Sequence, residues 1–143
     1  MSKAEATRKD ILKKAFALIY QNGYQATSLD DILKTTAVTK GAFYYHFKSK
    51  EDLGIAMLGE VVLHEVWPFI TKTLGSDPDV RTALYNMMKG LLLENPFFKV
   101  EYGCPAVNLI GEMAPINERF KMALKAQFDG WQRAIEDTLR KGQ

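Results

Sequence analysis

Apolar residues recur every three or four positions along most of the chain, the spacing that places them on one face of an α-helix. In residues 7–22 the apolar positions with this spacing are Ile11, Leu12, Ala15, Phe16, Leu18 and Ile19. Thr7 with Asp10 resembles a capping box, and Gly23 is a typical residue to follow the end of a helix. The pattern predicts a first amphipathic helix that ends just before Gly23.

The same reasoning predicts further helices and no strands. Ser28 and Thr39 would cap two short helices, over residues 29–36 and 39–47, and Ser49 would open a fourth that runs from residue 50 towards Trp67, where Pro68 should disturb it. Later helices are predicted over residues 80–93, 105–114 and 118–139. Alternating strand patterns and internal repeats are not found. We therefore expect an all-α fold of about seven helices.

Composition limits the class of protein. The chain has 143 residues, 47% of them hydrophobic and 25% charged, which fits one ordinary globular domain or two small ones that share a core. Its apolar runs are far shorter than the roughly 20 residues that a membrane span needs, and its first residues are polar. We expect a cytoplasmic protein. With one cysteine, Cys104, it cannot form an internal disulfide.

Charge is distributed unevenly along the chain. The formal net charge is +2, but residues 1–50 contain nine basic and four acidic residues, which gives +5, while the remainder carries −3. A polyanion such as DNA would therefore meet the N-terminal third.

Two short helices separated by a tight turn predict a helix-turn-helix, in which the second helix enters the DNA major groove. Helical spacing turns Phe43 and Phe47 inward and leaves Lys40 with Tyr44, and Gly41 with Tyr45, outward. Tyrosine hydroxyls can reach phosphates, and a glycine in a helix, which costs roughly 1 kcal/mol relative to alanine, suggests the close approach of a base or phosphate. The alternative is an ordinary three-helix unit with incidental surface tyrosines.

From about Thr7 to Leu58 the chain resembles the TetR family of bacterial transcriptional repressors. The resemblance rests on GYQATS (residues 23–28) and on KGAFYYHFKSKEDL (residues 40–53). It implies a three-helix helix-turn-helix DNA-binding unit, residues 1–50, packed on a helical effector-binding and dimerisation domain, residues 51–143. The implied function is a repressor that a small-molecule effector releases from a palindromic operator. Ala37 is a departure, because the family commonly has glycine in this turn.

The resemblance also assigns DNA contacts. It implies base-edge contacts at Thr39, Lys40, Gly41 and Ala42, backbone contacts at Tyr44, Tyr45 and His46, and phosphate contacts at Thr27, Ser28 and Lys50. These residue types suit their roles, because helix N-terminal amides and small hydroxyls bind phosphate oxygens and a lysine can reach a guanine edge.

The C-terminal part is similar to a subgroup with a G-C-P/L segment, here within YGCPAVNLIGEMAP. Some members of that subgroup are thought to sense electrophiles or small organic molecules, and Cys104, before a predicted helix N-terminus, could report them. The alternative is a small buried hydrophobic residue. An apolar or aromatic effector would suit a pocket of aromatic and methionine side chains, although each is also a candidate core residue. The candidates are Trp67, Met87, Met88, Phe97, Phe98, Tyr102, Cys104 and Asn108.

Family members usually continue for about two more helices that form the dimer interface. The chain therefore looks shortened, and we expect either a fragment or a homodimer that uses another surface, such as the stripe from Phe120 to Leu139. No cofactor or metal is predicted, since Glu60 with His64 is a single pair of possible ligands. The sequence also lacks a phosphate-binding glycine loop and H-E-x-x-H, so an enzyme is disfavoured. The remaining alternative is a helical ligand-binding or interaction module with weak or lost DNA binding.

Overall fold

The computed structural model describes residues 2–142 and is all-α, with no strand in that range, as the periodicity predicts. A π-helical segment, Leu58–Leu63, joins α4 to α5, a second, Gly90–Glu94, extends α6, and a 3₁₀ turn, Val100–Tyr102, precedes α7. The α-helices are α1 (Lys3–Asn22), α2 (Leu29–Thr36), α3 (Lys40–His46), α4 (Lys50–Met57), α5 (His64–Leu74), α6 (Val80–Lys89), α7 (Pro105–Met113) and α8 (Glu118–Lys141).

Capping residues account for most of the helix starts. The hydroxyls of Ser28, Thr39 and Ser49 accept hydrogen bonds from the backbone N–H groups three residues later, as predicted. The predicted start of α1 is wrong. This helix begins at Lys3 because Ser2 and Glu5 form a complete reciprocal capping box.

Pro68 does not end the fourth predicted helix, and this expectation is also wrong. Helices α4 and α5 and the π-helical segment between them form one continuous rod, Lys50–Leu74, which we call the long rod. A proline removes one backbone hydrogen bond, here to the carbonyl of His64. Both Pro68 and His64 are exposed, so water can reach that carbonyl and the helix continues.

The long rod is a core element. By length and composition it is the one helix among residues 2–142 that could cross a membrane. One face of it is nevertheless buried inside the fold against α1, α7 and α8. Its buried residues are Leu53, Gly54, Met57, Leu58, Val61, Val62, Val66, Ile70 and Leu74.

Helix α8 packs its apolar stripe into the same core. Phe120 and Leu124 are fully buried, and the Gln127 side-chain amide donates a hydrogen bond to the Leu58 carbonyl at 2.7 Å. Further along, Leu139 is 44% exposed. The first half of the stripe from Phe120 to Leu139 therefore packs against the core of its own chain and does not present a dimer face.

Candidate nucleic-acid interface

A tight turn sets the angle between α2 and α3. It begins at Ala37, whose φ is +55°. Ala37 is the only non-glycine residue with a positive φ among residues 2–142. Thr39 then caps α3, accepting a hydrogen bond from the Ala42 N–H at 3.1 Å. A left-handed conformation costs a residue with a Cβ about 1 kcal/mol. The chain thus forms the helix-turn-helix turn with alanine where glycine would be unstrained.

The variant Ala37→Gly should consequently be more stable than the natural chain. Relief of the left-handed strain is partly offset by the extra freedom of glycine in the unfolded chain. We expect a gain in the free energy of unfolding of up to about 0.5 kcal/mol. Urea denaturation measures this, and a loss of stability would mean that the turn is not left-handed.

The inner face of α3 fixes this helix to the rest of the protein. Phe43 is fully buried and Phe47 is 3% exposed, as the helical spacing predicts. The Arg8 guanidinium lies 5.0 Å from the centroid of the Phe47 ring and forms a salt bridge with Glu60 of the long rod. A cation over an aromatic face is attracted to it. Arg8 therefore links α3 to both α1 and the long rod.

The outer face of α3 is open to solvent. Tyr45 is 77% exposed and Tyr44 is 47% exposed, and Lys40 and Gly41 are exposed beside them. Ala42 and His46 are half-buried at the edges of this face. Lys40, and also Lys48 just beyond α3, make no ion pair with any residue between 2 and 142. We call Thr39, Lys40, Gly41, Tyr44 and Tyr45 the recognition face.

The two hydroxyls at the start of α2 differ in accessibility. Ser28 is exposed, but its hydroxyl donates to Asp31 Oδ2 at 2.5 Å, and this hydrogen bond is the largest cause of the lowered pKa of Asp31. Thr27 is 2% exposed, and its hydroxyl donates to the Gly23 carbonyl at 2.7 Å. Phosphate binding by these two residues stays a prediction. Ser28 is accessible to a phosphate, whereas Thr27 is buried.

Lys50 is bound inside the chain. Its Nζ donates to the Tyr24 carbonyl at 2.7 Å and lies 4.2 Å from the centroid of the Tyr24 ring. Burial lowers the pKa of Lys50, an effect that the Glu112 carboxylate opposes, and burial raises the pKa of Tyr24 to about 12. In this arrangement Lys50 joins the start of α4 to the turn between α1 and α2, residues 23–28, which we call the α1–α2 turn. The predicted phosphate contact would require Lys50 to leave Tyr24.

The candidate effector residues fall in different parts of the helical domain that follows residue 50. Trp67 lines a groove of about 410 Å³ between the long rod and α8, whereas Tyr102 and Asn108 line a cavity of about 290 Å³ between α1 and α7.

Phe97 and Phe98 join Tyr102 in one aromatic cluster through Phe16 and Tyr20, which line the same cavity, whereas Met87 and Met88 lie on α6. Met87 is 4% exposed in the core, Met88 is 48% exposed, and Phe97 stacks on Phe16 with ring centroids 5.0 Å apart. Phe98 packs edge-on against Phe97, and Cys104 is half-buried at the N-cap of α7.

The structure also reveals a contact that sequence reasoning missed. The two oxygens of Glu112 accept hydrogen bonds from the backbone N–H groups of Tyr24 at 3.2 Å and Gln25 at 2.9 Å. The Gln25 side-chain amide donates back to the Glu112 carbonyl at 3.1 Å. Glu112 and Gln25 are 87 positions apart, so no local pattern could have indicated this contact. We call it the α7 clasp.

Two short helices joined by a tight turn, with the outer face of the second helix exposed, form a helix-turn-helix, the motif whose second helix enters the DNA major groove in many transcriptional regulators. Residues 11–57 match the family model described as bacterial regulatory proteins, tetR family. An HTH-type transcriptional regulator from Lactococcus lactis is 33% identical over 135 residues, which are 93% of this chain and 68% of that protein. The chain belongs to the TetR family.

A second relative is also a transcriptional regulator by name. The transcriptional repressor NemR of Escherichia coli K12 is 29% identical over 121 residues, which are 82% of this chain and 59% of NemR. The chain therefore spans about two thirds or less of the length of these curated relatives.

Solved structures show the same fold. A TetR-family regulator from Cytophaga hutchinsonii superposes with a TM-score of 0.86 over 99% of this chain and 70% of that one, at 23% identity. The reduced form of Escherichia coli NemR superposes with a TM-score of 0.70 over 96% of this chain and 69% of that one, at 27% identity. The fold expected from the sequence is confirmed.

Proposed function

We propose that this chain is a cytoplasmic transcriptional repressor that binds double-stranded operator DNA with its recognition face. The observation that carries the proposal is the outer face of α3, where Tyr44, Tyr45 and a lysine that pairs with no described residue are exposed, while the inner face of the helix is buried in the core. The lysine ammonium group and the tyrosine hydroxyls are suited to contacts with base edges and phosphates. The named relatives are transcriptional regulators, which supports a regulator over an enzyme.

Gly41 supports the same proposal. A Cβ built on Gly41 would meet no atom within 4 Å, so nothing among residues 2–142 requires a glycine there. A glycine inside a helix costs roughly 1 kcal/mol relative to alanine. An approaching base edge or phosphate explains why this position has no side chain.

The variant Gly41→Ala should separate stability from DNA binding. We expect the free energy of unfolding to rise by up to about 1 kcal/mol, because alanine is the better helix former and meets open space. We expect DNA affinity to fall, because the added methyl group keeps the helix from the groove. Gly111→Ala, also in a helix and in open space, should raise stability without affecting DNA binding. Unchanged or tighter DNA binding by Gly41→Ala would show that DNA does not approach this position.

We further propose that the repressor acts as a homodimer on a palindromic operator and that a small apolar or aromatic molecule releases it. Two recognition helices about 34 Å apart read two half-sites and give an affinity that a single short helix rarely reaches. Release requires an effector that binds the two DNA-binding states with different affinities. The groove at Trp67 and the cavity at Tyr102 are the supporting observations in the body.

Selection of bound genomic DNA fragments tests this function. The full chain is incubated with fragments at two salt concentrations, and the same sample is run on a sizing column. The proposal predicts one protected palindromic site and a dimer. Weak binding that disappears at the higher salt concentration, by a monomer, would instead support the alternative of a helical interaction module with weak or lost DNA binding.

A further inference from the structure

The cavity between α1 and α7 has the lining of a binding site for a cation. Its volume is about 290 Å³, and its wall includes the aromatic rings of Phe16, Tyr20 and Tyr102. Among the described residues that line it, the charged side chains are both carboxylates, Glu101 and Glu112. Aromatic faces and carboxylates each attract cations, and the rings also accept a planar apolar group.

Lys50, the basic group that interacts electrostatically with Glu112, does not neutralise this lining. Lys50 is attracted to Glu112, but its Nζ is committed to the Tyr24 carbonyl at 2.7 Å and to the Tyr24 ring. Lys50 is not part of the cavity wall. The Phe16 ring stacks on Phe97 and on Tyr20. The cavity is therefore bordered by two negative charges and by aromatic side chains, a combination that favours an organic cation over a neutral or anionic molecule.

One wall of the cavity is also the joint to the DNA-binding unit. Glu112 belongs to this wall, and its carboxylate accepts the two hydrogen bonds of the α7 clasp that the backbone N–H groups of Tyr24 and Gln25 donate. A Cβ on Gly23 would lie only 3.2 Å from Glu112 Oε1, so the carboxylate sits directly against the α1–α2 turn. This turn leads into Ser28, the N-cap of α2. Movement of Glu112 would remove the contact of α7 with this turn, which Lys50 also holds through the Tyr24 carbonyl.

We propose that the cavity binds a small planar organic cation, such as an amidinium or a protonated aromatic amine, which draws the Glu112 carboxylate away from the α1–α2 turn. The cation competes with two backbone N–H groups for the same oxygens, so its binding and an intact α7 clasp oppose each other. The expected loss of DNA affinity rests on the proposed function, whereas the binding of the cation does not. By reciprocity, DNA would weaken the binding of the cation by the same factor.

Three nearly isosteric probes test the charge preference. Benzamidinium, benzamide and benzoate carry one positive, no and one negative charge, and their dissociation constants are measured by amide chemical-shift titration of the full chain. We expect benzamidinium to bind roughly tenfold or more tightly than benzamide, as a charge-assisted hydrogen bond to a carboxylate would give, and benzoate to bind most weakly. At saturation with benzamidinium, the Tyr24 and Gln25 amides should exchange their hydrogens faster.

Variants locate the site. Glu112→Gln should weaken benzamidinium binding roughly tenfold, and Glu101→Gln, which leaves the α7 clasp intact, should weaken it by a smaller factor. Glu118→Gln, at an exposed carboxylate that pairs with Lys121 on α8, is the matched control and should have no effect. Glu101→Gln also keeps the test decisive if Glu112→Gln folds poorly.

Two results would overturn the proposal. One is equal affinity for benzamidinium and benzamide, and the other is an unchanged benzamidinium dissociation constant in both glutamate variants. Operator DNA is then titrated with and without benzamidinium. A chain that binds the cation at this cavity and releases its α7 clasp, but binds no DNA in either condition, would refute the proposed function and leave the cation site in place.

Discussion

Replacing Lys40 and Tyr44 together with alanine is expected to weaken binding to the selected operator by roughly a hundredfold. A lysine contact with a guanine edge contributes about 1–3 kcal/mol, and a tyrosine contact with the DNA backbone adds to it, while each tenfold change in affinity corresponds to about 1.4 kcal/mol. Both side chains are exposed, so the double variant should fold normally. Fluorescence anisotropy with a labelled operator duplex measures the change.

The matched control is the double variant Lys72→Ala with Tyr85→Ala. It removes the same residue types, also exposed, from α5 and α6, away from the recognition face. We expect it to bind like the natural chain. Removal of Lys40 should also reduce the slope of log affinity against log salt by about 0.9 if the lysine displaces a counterion from phosphate. Equal losses in the two double variants would place the DNA contact elsewhere.

Phe43→Ala should cause the largest loss of stability among the substitutions considered. Phe43 is fully buried, and its ring lies 5.6 Å from the Phe47 ring and 5.5 Å from the Tyr44 ring, centroid to centroid. Truncation of a buried phenylalanine leaves a cavity and costs about 3–5 kcal/mol. A loss of this size is a large fraction of the stability of an ordinary domain, so DNA binding should fall as well. Guanidinium denaturation measures the loss.

Tyr45→Ala, two positions further along the same helix, provides the comparison. Tyr45 is 77% exposed, so its removal should change the free energy of unfolding by about 0.5 kcal/mol or less. The pair therefore predicts that the inner face of α3 determines stability and the outer face determines binding. A Phe43→Ala variant that loses less than about 1 kcal/mol would mean that α3 does not anchor the DNA-binding unit.

The helices could be predicted from the sequence because periodicity and capping are local. Ser28, Thr39 and Ser49 cap their helices as expected, since the hydrogen bonds of a cap involve residues only three apart. The two errors in helix boundaries also have local causes. The Ser2–Glu5 capping box lies upstream of the apolar pattern, and Pro68 stands on an exposed face where the missing hydrogen bond is tolerated.

The site could be predicted only as far as one helix face. The exposure of Lys40, Tyr44 and Tyr45 follows from the burial of Phe43 and Phe47 on the opposite side of α3. Thr27 and Lys50 point inward because they donate hydrogen bonds to the carbonyls of Gly23 and Tyr24, respectively. The shape of the α1–α2 turn places these two carbonyls. No spacing in the sequence specifies that shape.

The α7 clasp is a tertiary contact and was likewise beyond sequence reasoning. Glu112 reaches Tyr24 and Gln25 because α7 packs beside the end of α1. The separation of the candidate effector residues has the same origin. Packing brings Phe97, Phe98 and Tyr102 together around Phe16 and Tyr20, but it places Trp67 in the groove beside α8 and Met87 and Met88 on α6.

DNA should contact the chain at the recognition face. Amide chemical-shift mapping of the full chain, with and without the selected operator duplex, tests it most directly. We expect the largest changes at residues 39–45 and at Ser28, with little change along α8. Changes confined to α6–α8, or none at DNA concentrations that saturate the chain, would contradict it.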